Sequence, residues 1–137
     1  MTRREAREQA FMLVFEWEFH HMDIDTMIEN AQLGREFRVD AYAKKLAGAV
    51  VEHIEVIDGK IDQFSTKWKR KRIAKVSLAV LRMALGEILY CKEVPSSVAI
   101  NEAVEIAKKY AADTDAAYIN GVLGGAVRVM QSAASEA

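Results

Sequence analysis

The chain has 137 residues, of which 51% are hydrophobic and 28% charged, so it supports one folded domain and excludes general disorder. Its 19 lysines and arginines are balanced by 20 aspartates and glutamates, which argues against a strongly basic nucleic-acid binder. One cysteine, Cys91, excludes an internal disulfide, and without a signal peptide or a membrane-length apolar run we expect a cytoplasmic protein.

Helical spacing of apolar residues begins at the amino terminus, where residues 3–21 predict a first helix. Asp23 offers a capping carboxylate for a short second helix, which Gly34 is predicted to end. Residues 42–64 carry apolar side chains at steps of three and four, the pattern of one long amphipathic helix. Gly59 is expected to mark a bend in that helix, because glycine weakens a helix interior.

The second half of the chain continues the helical pattern. Residues 76–90 are apolar nearly all round, which predicts a helix at the centre of the domain or beneath a partner. Pro95 suits the first turn of the next helix, and residues 113–115 offer caps for a last one. We therefore expect six or seven helices, no strand, and a single all-α domain over residues 1–137.

Groups that could support catalysis or bind a metal are few. The histidines His20, His21 and His53 lack metal-binding spacing, and Cys91 has no patterned partner, so a buried structural thiol is expected. Asp113 and Asp115 are better explained as helix caps than as an acid–base pair. We predict neither an enzyme nor a bound metal or cofactor.

The balanced total charge hides a local excess of cations around Trp68. Seven basic residues and no acidic residue lie between Gln63 and Gly86; they are Lys67, Lys69, Arg70, Lys71, Arg72, Lys75 and Arg82. Such a block could hold phosphates, through Lys69 and Arg70 among others, while Trp68 stacks on a base. The alternative is a solvated connection between helices in which Trp68 plugs the core.

Three arginines lie close together at the start of the first helix. Arg3, Arg4 and Arg7 fall on one helical face, because residues three and four apart are neighbours. Cations at a helix amino terminus oppose the macrodipole, so either a ligand uses them or that end is frayed and solvated.

The second half contains three motifs in order, which are VLRMA followed by Glu87, the run PSSVAINEAVEIAK from Pro95, and INGVL from Ile119. These motifs resemble the NusB family of bacterial transcription antitermination factors. The opening at Arg3, with its three arginines and the later Trp17, is similar to the start of that family. The resemblance spans nearly the whole chain.

This resemblance implies two packed three-helix subdomains without catalytic activity. It also implies a partner, the small-subunit ribosomal protein NusE, with which such proteins bind boxA RNA of ribosomal RNA leaders. The complex acts with other Nus factors on RNA polymerase and suppresses termination, away from any membrane. By resemblance the RNA face contains Arg3, Arg4, Arg7 and Tyr118, and the NusE face lies along the helix with Ser77, Val80 and Leu81.

Several positions depart from the family pattern. Met12 and Phe15 stand where a glutamine and a tyrosine are common, Ser77 replaces an acidic residue, and Gly86 replaces an aromatic one. We expect RNA binding that is weaker or depends on different contacts, supplemented by the basic block. At Gly86 we expect a gap that the core or a partner must fill.

The alternative function is a helical protein-binding adaptor or homodimer with weakened RNA binding. A third possibility is the NusB-like domain that precedes an RNA cytosine methyltransferase in some proteins. We disfavour it, because no methyltransferase follows in this sequence.

Overall fold

The computed structural model describes residues 1–33 and 38–136, and within these ranges the chain forms seven α-helices, one short 3₁₀ turn and no strand. This confirms the predicted all-α fold. Among the described helices, none is both long and apolar enough to cross a membrane. The helices are α1 (Arg3–His20), α2 (Ile24–Gln32), α3 (Ala41–Glu52), α4 (Ile54–Phe64), α5 (Lys75–Tyr90), α6 (Ser96–Tyr110) and α7 (Asp113–Glu136), with the 3₁₀ turn at Arg70–Arg72.

Short polar side chains begin several of these helices. Thr2 accepts a hydrogen bond from the Glu5 backbone N–H while the Glu5 carboxylate accepts one from the Thr2 N–H, which forms a complete capping box for α1. Asp23 caps α2 through the Thr26 N–H, as the sequence predicts. These caps satisfy backbone donors that the first helical turn leaves unpaired.

Helix α5 runs through the middle of the molecule and contacts α1, α3, α4, α6 and α7. Every residue from Ser77 to Ile88 is buried, in agreement with the apolar pattern of this segment. On one side α1, α2 and α3 contact one another, while α4, α6 and α7 pack on the other. These two groups of three helices, with α5 between them, agree with the expected pair of packed three-helix subdomains.

The predicted long helix over residues 42–64 is two helices, and its break is not at Gly59. The chain turns at His53, whose ring stacks on Tyr90 with centroids 3.9 Å apart. Gly59 lies inside α4 in open space. The break at His53 keeps Val50, on α3, and Ile57, on α4, buried, so it leaves no trace in the apolar spacing. The predicted stop at Gly34 lies outside the described residues.

The core fills the gap that was expected at Gly86. A Cβ at this position would lie 2.5 Å from Val50 Cγ2, well inside van der Waals contact. The side chain of Val50 therefore occupies the space, and α3 approaches α5 closely at this point.

Candidate nucleic-acid interface

The first two arginines of α1 lie at the surface. The guanidinium of Arg3 lies over the ring of Tyr42, 3.7 Å from its centroid. Arg4 donates through Nε and Nη2 to both carboxylate oxygens of Glu102 on α6, at 2.9 and 3.0 Å. Hydrogen bonding and charge from Arg4 lower the pKa of Glu102. The Arg4 side chain stays 60% exposed, so it can still approach a phosphate.

Arg7 is buried, which corrects the expectation that it lies on the RNA face together with Arg3 and Arg4. Its Nε lies 2.9 Å from both carboxylate oxygens of Glu87 on α5, and the residue is only 5% exposed. Glu87 also accepts a hydrogen bond from the Tyr42 hydroxyl. Because this carboxylate is itself fully buried, Arg7 is needed to neutralise it and is not free for a phosphate.

Tyr42 joins the buried pair to the surface. One face of its ring lies under Arg3, while its hydroxyl contacts Glu87 in the core. Burial, followed by the hydrogen bond and the negative charge of Glu87, raises the pKa of Tyr42 well above its usual value. The phenol therefore remains a hydrogen-bond donor, and it fixes the ring against which Arg3 rests.

Tyr118, near the start of α7, is half-buried rather than fully exposed. Its hydroxyl contacts the Ser65 hydroxyl, which in turn donates to the backbone carbonyl of Trp68 at 2.6 Å. Since Ser65 has one hydroxyl proton and gives it to Trp68, Tyr118 is the donor to Ser65. This chain of hydrogen bonds ties Tyr118 to the connection between α4 and α5.

That connection, which we call the basic connection, covers residues 66–74. Trp68 is 44% exposed, so the core-plug interpretation is wrong. Lys69 is exposed, whereas Arg70 is anchored to Asp62, with Nη1 and Oδ2 2.8 Å apart. Together with the start of α5 and the end of α1, the basic connection borders an open cleft of about 450 Å³.

Five cations and two carboxylates line this cleft, which gives it a positive potential. Arg82 forms its floor and pairs with Asp58 and Glu18, while Lys75 reaches Glu18 at 3.3 Å. Partial burial opposes ionisation of Glu18, yet hydrogen bonds and charge from Arg82 and Lys75 lower its pKa. The cations of the cleft are Lys69, Arg70, Lys71, Lys75 and Arg82.

Aromatic residues occupy the face of α1 between its two ends. Phe15 lies between Phe11 and Phe19, with centroids 6.4 and 5.1 Å away, and Phe11 also contacts Tyr110 at 5.1 Å. Phe19 is 57% exposed. The spacing of four residues was visible in the sequence, but exposure of the last ring was not.

The residues expected at the NusE face lie inside the domain. Ser77, Val80 and Leu81 are each no more than 2% exposed, because helices surround α5 on nearly all sides. The side chains of these three residues therefore form no free surface for a partner. Ser77 Oγ has no hydrogen-bond partner among the described residues.

Other candidate chemistry is sparse in the described ranges. No group of three or more histidine, cysteine, aspartate or glutamate side chains could hold a metal ion there. Cys91 is buried, as predicted, and burial raises the pKa of its thiol.

The NusB family model matches residues 4–128. The transcription antitermination protein NusB of Agathobacter rectalis is 41% identical over 129 residues, which cover 90% of this chain and 97% of that protein. NusB of Clostridium novyi is 36% identical over 132 residues, or 93% and 99% of the two chains.

Solved structures give the same result. The T. maritima NusB structure has a TM-score of 0.79 at 32% identity and covers 93% of this chain and 92% of that one. A structure of NusB and NusE in complex with dsRNA has a TM-score of 0.75 at 27% identity, with 94% and 99% covered. The fold, the motifs and these similarities agree, and the chain belongs to the NusB family.

Proposed function

We propose that this protein is a transcription antitermination factor that binds boxA RNA together with NusE and suppresses termination by RNA polymerase. The observation that carries the proposal is the match to NusB proteins of the same function over at least nine-tenths of the chain. A related NusB has been crystallised with NusE and RNA, which supports the same partners here. The role requires binding rather than catalysis, and its place is the bacterial cytoplasm, where transcription occurs.

The surface at the start of α1 supports RNA binding in physical terms. Arg3 and Arg4 are exposed cations on neighbouring positions at the start of α1, and Tyr118 presents a half-buried ring elsewhere, beside the connection between α4 and α5. Single-stranded RNA is bound by cations at its phosphates and by aromatic rings at its unpaired bases. We assign phosphate contacts to Arg3 and Arg4, and a structural role to Arg7.

The proposed partner surface must use side chains other than those of Ser77, Val80 and Leu81, which are buried. The NusE surface therefore lies on other residues, and a variant that loses NusE affinity while it keeps wild-type stability would identify it.

Binding measurements with purified NusE test the function. The pair should bind a boxA RNA more tightly than a scrambled RNA of equal length and composition, and equal binding would contradict the proposal. Changing Arg3 and Arg4 to serine should reduce the slope of log affinity against log salt by about 0.7 per lost phosphate contact. The control is Lys44→Ser, which removes an exposed lysine of α3 and should leave the slope unchanged.

A second candidate, the protein-binding adaptor, is favoured by one observation. Met12 and Phe19, on α1, are 45% and 57% exposed, an apolar surface that suits a protein partner. Titration with NusE in the absence of RNA separates the two functions. Tight NusE binding combined with equal affinity of the pair for boxA and scrambled RNA would favour the adaptor.

A further inference from the structure

We propose that the cleft beside Trp68 is a second contact for single-stranded RNA. Trp68 would stack on an unpaired base, and Lys69 and Lys71 would contact the flanking phosphates. The inference rests on the proposed function, because it extends the RNA surface from the start of α1 to its other end.

The cations around the cleft form two groups. Arg70, Lys75 and Arg82 are paired with carboxylates, so most of their charge is already compensated within the protein. Lys69 and Lys71 are exposed and form no ion pair with any carboxylate that the structure describes. The paired group shapes the cleft, and the unpaired group is available to phosphates.

Trp68 presents an exposed indole from a fixed backbone position. Its carbonyl accepts a hydrogen bond from Ser65, which restrains the chain on the side facing Tyr118. The Lys67 ammonium lies 5.5 Å from the centroid of the indole ring. An aromatic face restrained in this way and flanked by cations is the combination that binds single-stranded nucleic acid without a fixed sequence.

One face of α1 connects this cleft to the arginines. Arg4, Phe11, Phe15 and Glu18 follow one another at steps of seven, four and three residues, which place them along a single helical face. The distance from Arg4 to Glu18 along the axis is about 21 Å. A strand held at Arg3 and Arg4 can follow this side of α1, on which Phe11 is buried and Phe15 is partly exposed, to the cleft that Glu18 lines.

The chemistry favours a single strand over a duplex. Stacking on Trp68 needs a base whose face is free, and bases within a duplex already cover both faces. A blunt duplex of the same sequence should therefore gain nothing from Trp68, although its phosphates would still meet Lys69 and Lys71.

Lysine substitutions test the phosphate contacts in the complex with NusE, using a boxA RNA extended at both ends. Lys69→Ser with Lys71→Ser should reduce the salt slope by about 1.4, and each single change by about 0.7. Lys44→Ser removes one exposed lysine elsewhere and should not change the slope. If the double variant keeps the wild-type slope and affinity, the cleft inference is overturned.

Trp68 substitutions test the stacking separately. Trp68→Ala should weaken binding of the extended single strand by roughly 5- to 150-fold, and Trp68→Phe should restore much of it. Binding should quench the fluorescence of Trp68, whereas Trp17 is buried and should not respond. Wild-type affinity in Trp68→Ala, or an absence of quenching in the wild type, would contradict stacking. If Trp68→Ala does not fold, the quenching of wild-type fluorescence decides between the two outcomes.

The wild-type protein separates failure of this inference from failure of the proposed function. If the wild type and NusE bind boxA RNA and the cleft variants bind it equally well, only the cleft inference fails. If the wild type with NusE shows no preference for boxA RNA, the proposed function fails and this inference falls with it.

Discussion

Arg7 and Glu87 form an ion pair in the core, in which Arg7 Nε lies 2.9 Å from each of the two carboxylate oxygens. The pair joins α1 to α5 across 80 positions of sequence. Arg7→Ala would leave a fully buried carboxylate without its cation, so we expect unfolding free energy to fall by about 3–5 kcal/mol.

Urea unfolding measures this loss, with Arg4→Ala as the matched control. Arg4 also pairs with a glutamate, but at the surface, and its removal should change stability far less. Similar losses in both variants would contradict the structural assignment of Arg7.

Gly86→Ala should destabilise the protein although alanine favours helix. The new Cβ would lie 2.5 Å from Val50 Cγ2, and overpacking of this kind costs about 1–3 kcal/mol. Adding Val50→Ala to that variant should recover part of the loss, since the clash would be gone.

Gly59→Ala, in the open part of α4, should instead stabilise the protein by about 0.5–1 kcal/mol. Thermal or urea unfolding of these three variants and the wild type distinguishes the effect of the clash from that of helix propensity.

Cys91 should resist alkylation in the native protein at mildly alkaline pH. Its residue is fully buried, and burial raises the pKa of the thiol, so the reactive thiolate is both rare and inaccessible. A thiol-reactive dye should label the protein slowly without denaturant and rapidly in urea. Equal rates in the two conditions would show that the site opens freely.

The Arg4–Glu102 pair should stabilise the folded protein at neutral pH and lose this contribution as the solution is acidified. Since Arg4 lowers the pKa of Glu102 below 4.5, the native state binds fewer protons than the unfolded state in this range. The contribution is therefore complete above the ordinary glutamate pKa and is lost as the pH falls through the lower, folded value. An NMR titration of Glu102 should show its pKa rise in Arg4→Gln, and an unchanged value would contradict the pairing.

Tyr118→Phe should separate the hydrogen bond of this residue from its ring. Loss of the hydroxyl removes the donor to Ser65 and should cost about 1 kcal/mol of unfolding free energy. RNA affinity should stay close to wild type, because the aromatic face remains, whereas Tyr118→Leu should weaken it. Equal RNA affinity in the phenylalanine and leucine variants would remove Tyr118 from the RNA surface.

Local patterns in the sequence predict the helices and the central position of α5, since apolar spacing and caps are local properties. They do not distinguish buried Arg7 from exposed Arg3 and Arg4. The difference arises only when folding brings Glu87, 80 positions away, next to Arg7. The same limit applies to Gly86, whose missing side chain is matched by Val50 on another helix. Trp68 stays ambiguous for a related reason, since exposure depends on where the basic connection crosses the surface.

The central place of α5 has a consequence for the way the molecule opens. Five other helices contact it, from both sides of the structure, so exposing its backbone to water requires the two sides to separate together. We therefore expect the amide protons of α5 to exchange most slowly, at a rate set by global unfolding. Neither half should melt alone, and the whole chain should unfold in one cooperative step.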